Sequence, residues 1–98
     1  MSLPVVFRPP ARKELDEAID WYERKRVGLG AEFGNRVREV LARISATPEL
    51  HGVVYKDIRC ALVHRFPYAV FYRVKWNRVR VIAVFHCKRD PRIWQRRS

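Results

Sequence analysis

The chain is predicted to be an α+β domain of order βααβββ, an antiparallel helical hairpin packed on one face of a small curved, mainly antiparallel sheet. Two observations predict it. Apolar residues recur at near-fourfold spacing up to Pro48 and at near-twofold spacing beyond it, the side-chain periods of helix and strand. The helical half is interrupted at Gly28 and Gly30, a connection short enough to force the two helices antiparallel. With 98 residues, one domain over 1–98 with a single modest core is expected.

The elements follow in order. Pro4 to Arg8, PVVFR, is a β-rich run stopped by Pro9 and Pro10, and it reads as one strand. Ala11, Leu15, Ala18, Ile19 and Tyr22 then repeat at helical spacing with charges between them, which predicts an amphipathic helix of about four turns. After the glycines, Leu29, Phe33, Val37, Val40, Leu41 and Ile44 draw a second stripe that ends at Thr47 and Pro48. Leu15, Ile19, Tyr22, Phe33, Val37, Leu41 and Ile44 are the expected core between helices and sheet. Ile58 to His64, Tyr68 to Lys75 and Val79 to His86 are rich in Val, Ile, Tyr and Phe, as strands are. Phe66-Pro67 and Trp76-Asn77 separate them, the latter a plausible two-residue turn because Asn tolerates positive φ. The sheet face turned from the helices is expected to carry Arg59, Arg73 and Arg80.

Composition excludes several classes. Nearly half the residues are apolar, unlike a disordered chain, yet the longest apolar run is Phe66 to Tyr72, far short of a membrane span. The N-terminus lacks the pattern of a secretory signal, so a cytoplasmic address is expected, with Cys60 and Cys87 as buried free thiols rather than a disulfide or metal site. Net charge is +11, and it is unevenly spread. Residues 51–98 hold twelve Lys and Arg against Asp57 and Asp90, whereas the first fifty are almost balanced. Such a field attracts polyanions, so nucleic acid, a nucleoprotein or an acidic protein is expected at the second half.

Several motifs stand out on this layout. The first helix carries Ala11, Glu14, Leu15, Glu17, Ala18, Trp21, Tyr22 and Glu23; the second opens with Gly28, Leu29, Gly30 and Phe33. The strands carry Arg59 and Leu62, then Arg65, Phe66, Pro67, Tyr68, Phe71 and Tyr72. The end carries Ala83, Val84, His86, Arg89, Asp90, Pro91 and Trp94. Together they resemble the RelE/ParE toxin superfamily of bacterial toxin-antitoxin systems, and its ParE-like plasmid-stabilisation branch in particular, nearly end to end. The resemblance implies a growth-arresting toxin silenced by a small acidic, ParD-like antitoxin, with no cofactor. ParE-like members poison DNA gyrase, whereas RelE-like members cut messenger RNA in the ribosomal A site. It also suggests a target-binding surface of Arg59, Arg65, Arg73, Lys88, Arg89, Arg92 and Trp94, and antitoxin contacts at Trp21, Tyr22, Phe33 and Val37.

RNA cleavage without a metal needs a base, an acid and cations at the phosphate. Where the RelE-like enzymes have a basic residue in the central strand, this chain has Ala69, and Trp94 stands nearest to their C-terminal acid-base group. His86, with Lys88, Arg89 and Arg59, is the one candidate catalytic set; the plainer reading is that His86 closes the last strand. Trp94 either covers an end of the core or stacks on a base. Asp90, before a proline and near Arg89 and Arg92, reads as an ion-paired turn residue. Three functions therefore stand: a non-enzymatic gyrase inhibitor, a ribosome-dependent endoribonuclease, and a nucleic-acid-binding module.

Overall fold

The computed structural model describes residues 2–98. Its elements are β1 (Val5–Phe7), α1 (Pro9–Lys25), α2 (Leu29–Ala46), β2 (Val53–Tyr55), β3 (Ile58–Leu62), β4 (Tyr68–Lys75), β5 (Arg78–His86) and α3 (Arg92–Gln95). The five strands form one sheet in the order β1-β5-β4-β3-β2, antiparallel except that β1 runs parallel to β5. Both long helices pack on one face of it. The α+β reading holds, with two additions: β2 extends the meander at its far edge, and a turn of helix, α3, follows the last strand.

Pro9 and Pro10 occupy the first turn of α1, where their missing N–H groups remove donors that would otherwise be orphaned and their fixed φ suits a helix. Arg24 and Lys25 lie in its last turn, where cations complement the helix dipole. The link to α2 is built on Glu23. Its carboxylate accepts from the Gly28 N–H at 2.9 Å and the Gly30 N–H at 3.0 Å, so a side chain of one helix caps the N-terminus of the next. Gly28 has φ +89°, the left-handed region that glycine enters without strain. Gly30 is needed for a different reason: a Cβ there would sit 2.6 Å from the Ile19 carbonyl oxygen. The glycine pair thus sets both the turn and the closeness of the helices.

Between helices and sheet, the core is built from Ala11, Ala18, Tyr22, Phe33, Val37, Val40 and Ile44 against Val70, Tyr72, Val79, Val81 and Val84. Tyr72 is fully buried, and its hydroxyl donates to the Pro48 carbonyl at 2.6 Å, so its polar end is satisfied. Leu15, Ile19 and Leu41 were expected in this core and are only half-buried at its margin. They fall on the side of each stripe that lines the groove between α1 and α2.

The opposite face is not a uniform charged surface. Trp94 of α3 stacks on Phe71 with ring centroids 4.1 Å apart and, with Ile58, Ile82, Ala83 and Phe85, closes a second small core. Arg59 is not on that face. It pairs in register with Tyr72, which points to the helices, and its guanidinium donates to the carbonyls of Glu49 and His51 at 3.1 and 2.6 Å. Against the expected alternation, Ile58 takes the outer side, and Arg59 turns inward to hold the loop after α2.

Gly30→Ala is expected to destabilise the fold by about 2 kcal/mol, since a backbone carbonyl cannot yield as a side chain would. Gly52→Ala, where a Cβ meets nothing within 4 Å, serves as control in urea unfolding; equal stability of the two variants would contradict this account.

Candidate functional site

β1 spans three residues and β5 nine, so β1 covers β5 only through Val81. Beyond that point the edge of β5 is completed by side chains. Glu14 of α1 accepts from the Val84 N–H at 3.2 Å. Arg97, near the C-terminus, donates to the Ile82 carbonyl at 3.2 Å and grips Glu14 through both nitrogens, at 2.9 and 3.0 Å. The two side chains are only 12% and 19% exposed, and a two-point pair in that setting fixes geometry as well as charge. Arg89 adds a longer contact to Glu14 at 3.9 Å and lies 4.4 Å from the Phe85 ring centroid.

Next to this lock a cavity of about 450 Å³ opens between α1 and the ends of β4 and β5, with Glu17, Trp21, Tyr68, His86 and Arg89 on its walls. His86 ends β5. Its Nδ1 accepts from the Lys88 N–H at 3.1 Å, and its ring meets Tyr68 edge-on at 5.2 Å. In the neutral ring this leaves Nε2 carrying the proton. Burial, with a smaller contribution from Glu14, raises the Tyr68 pKa against the pull of Arg89; burial and Tyr68 raise that of Tyr22. Neither phenol is a base near neutral pH.

The suggested target surface is therefore divided. Lys88, Arg89 and Arg92 are exposed around the turn that follows β5, but Arg92 is held by both oxygens of Asp90, which lowers the Asp90 pKa. Arg65 is exposed at a left-handed position in the β3–β4 turn. Arg73 is bound to Asp57 at 2.8 Å. Arg59 is engaged by the loop carbonyls and, among the described residues, makes no hydrogen bond to His86. Trp94, at 3% exposure, has no face free to stack on a base; the small chain spends it on Phe71.

The suggested antitoxin contacts need a similar correction. Trp21 is 47% exposed. Tyr22 and Phe33 are core residues, clustered with Phe66 and Tyr68 at centroid distances of 4.9 to 6.0 Å. Val37 is buried but floors a groove of about 230 Å³ between α1 and α2, whose walls are Phe7, Leu15, Ile19, Gly34 and Leu41 and whose rim carries Arg12, Asp16 and Arg38. Periodicity located the stripe; which of its members faced the sheet required the sheet.

No group of three or more metal-ligating side chains occurs among the described residues. Both cysteines are free, but Cys87 is exposed rather than buried, because it falls one residue past the strand. Cys60 is half-buried, and burial, then the neighbouring Cys87, pushes its pKa up to about 11.

A family model described as "ParE toxin of type II toxin-antitoxin system, parDE" matches residues 5–91. No curated protein matches the sequence significantly. Among solved structures, a chain of the chromosomal ParDE toxin-antitoxin system from P. aeruginosa shares the fold with a TM-score of 0.78 at 13% identity, over 89% of this chain and 98% of that one. No helix among the described residues is long and apolar enough to cross a membrane.

Glu14→Ala should cost about 2 kcal/mol, since it strands both the Arg97 guanidinium and the Val84 N–H. Amide exchange at Val84 should accelerate with it; an unchanged Val84 rate would show that the lock does not protect the edge. Iodoacetamide near pH 7.5 should alkylate Cys87 well before Cys60, whose raised pKa leaves little thiolate. Peptide mapping by mass spectrometry reads the order.

Proposed function

Because the chain belongs to the ParE toxin family of type II toxin-antitoxin systems, we propose that it acts in the bacterial cytoplasm as a non-enzymatic inhibitor of DNA gyrase, silenced by a small cognate antitoxin. The observation that carries the reading is the state of its one acid-base candidate. His86 has Nδ1 committed to a backbone donor, the flanking tyrosines are shifted away from base function, and Glu14 is consumed by Arg97. Ala69 is buried and offers no cation. A protein that needs no proton transfer can act through shape and charge alone, and the exposed Lys88 and Arg89 beside the cavity supply both.

One observation favours the alternative, a ribosome-dependent endoribonuclease: His86, Tyr68 and Arg89 share the walls of one cavity. The two readings separate cleanly. Purified protein should block gyrase supercoiling or trap its cleavage complex while leaving ribosome-bound messenger intact, and His86→Gln should retain most of the gyrase effect. Loss of A-site cleavage in a folded His86→Gln protein would establish the nuclease instead.

The groove between α1 and α2 is the seat proposed for the antitoxin. Phe7, Leu15, Ile19 and Leu41 offer apolar area there, which suits an amphipathic helix that lays one face into a groove. Five of the chain's ten acids lie on α1, so acidic residues of the antitoxin are better matched to the C-terminal cations than to this rim. Binding would combine apolar anchoring with electrostatic steering. Ile19→Glu should abolish co-purification with the product of the neighbouring gene without unfolding the chain, because Ile19 is already half-exposed; retained co-purification would move the antitoxin elsewhere.

A further inference from the structure

Beyond the toxin reading, and without resting on it, the outer end of the β4–β5 hairpin has the features of a ligand site. Tyr72, Val74, Val79 and Val81 face the helices, so their neighbours Arg73, Lys75, Arg78 and Arg80 face outward. Register sets them as two directly opposed pairs, Arg73 with Arg80 and Lys75 with Arg78. Like charges directly opposite each other destabilise a sheet. Only Arg73 has a carboxylate partner, Asp57; Lys75, Arg78 and Arg80 have none among the described residues.

The turn above them is equally costly by itself. Trp76 and Asn77 form it with φ +52° and +56°, a geometry that favours Asn, Asp and Gly. Asn77 fits. Trp76 does not, since a bulky side chain in the left-handed region is strained, and it recovers little burial: it is 75% exposed. Lys75 Nζ lies 4.8 Å and Arg80 Cζ 5.7 Å from its ring centroid. A strained, exposed indole set among unneutralised cations contributes little to the folded state and much to a ligand that is both anionic and flat.

We infer that this hairpin end is a single-stranded nucleic-acid site, in which Lys75, Arg78 and Arg80 take successive phosphates and Trp76 stacks on an unpaired base. Charge alone would serve an acidic peptide equally well. The indole decides between them, because every base has a π-face, and aromatic side chains beside arginines are how strands are held without sequence preference. Residues two apart on a strand are separated by roughly 6.7 Å, a spacing comparable to that of successive phosphates along an extended chain. The site lies on the face away from the helices, separate from both the groove and the His86 cavity.

The test is fluorescence anisotropy with a labelled twelve-residue oligothymidylate and the full chain, in a salt series. Trp76→Asn should melt at or above the wild-type temperature, because it relieves the turn, while weakening binding roughly tenfold. Combined Lys75→Gln, Arg78→Gln and Arg80→Gln should flatten the slope of log K against log salt by about 2, at roughly 0.7 per lost contact on a single strand. An equal loss of charge on the helices, Lys13→Gln, Arg24→Gln and Arg43→Gln, should do much less. Wild-type affinity in Trp76→Asn, or equal losses in the two triple variants, would overturn the site. So would tighter, Trp76-dependent binding to polyglutamate or to anionic phosphatidylserine vesicles, which would assign the hairpin end to an acidic protein or a membrane surface.

Discussion

A three-residue strand cannot cover a nine-residue one, and much of the molecule is arranged around that mismatch. β5 lies inside the sheet along its first half and at an edge along its second, where unpaired N–H and C=O groups would invite another chain. Glu14 and Arg97 answer this with two side chains that hydrogen-bond to the strand and to each other. The consequence is long-range: a residue of the first helix and one near the C-terminus become neighbours 83 positions apart, so α1, β5 and α3 are held as one unit. The cavity beside His86 adjoins this lock and shares Glu14, Val84 and Arg89 with it.

The helical hairpin has a comparable constraint. Two glycines at its turn remove side chains that would otherwise pack, and flexibility there would loosen the whole layer. Glu23 offsets this by binding the amides that the glycines leave accessible. The acidic position that closes the first-helix motif and the glycines that open the second are therefore one structural device. Leu15, Ile19 and Leu41 line the groove beside the close approach at Gly30 and pack only partly against the core.

The fold was legible because periodicity is local: the change of spacing at Pro48 and the interruption at Gly28 both report backbone geometry directly. β2 and α3 escaped for the opposite reason. Val53–Tyr55 is too short for alternation to register, and Arg92–Gln95 is helical chiefly because Trp94 anchors it on Phe71. The candidate site was less legible still. Basic side chains look alike in a sequence, yet Arg59 is used to hold a loop, Arg73 and Arg92 are each paired with a carboxylate, and Arg97 is part of the lock. The parity of a strand, on which Arg59 was misplaced, cannot be read where Ile and Arg are adjacent and each face has its own core. Trp76, the most exposed of the three tryptophans, drew attention only as half of a turn.

What remains after these internal uses is a molecule with two poles. Acids gather on α1, and one of them is committed to the lock; unpaired cations gather at the β4–β5 hairpin end and around the turn after β5. A ligand drawn by charge approaches from the sheet side, whereas one drawn by apolar area approaches the groove between the helices. These surfaces lie on opposite layers of the fold, so occupation of one leaves the other open sterically. Coupling between them would have to pass through the Glu14–Arg97 lock or through the charge that each ligand brings. Screening separates those routes: an effect carried by net charge fades as salt shortens the Debye length toward 8 Å and below, while one carried by a partly buried ion pair persists. Two independent surfaces on so small a chain are possible because the sheet presents a helix-covered face and an open one, and the charge asymmetry of the sequence follows that division.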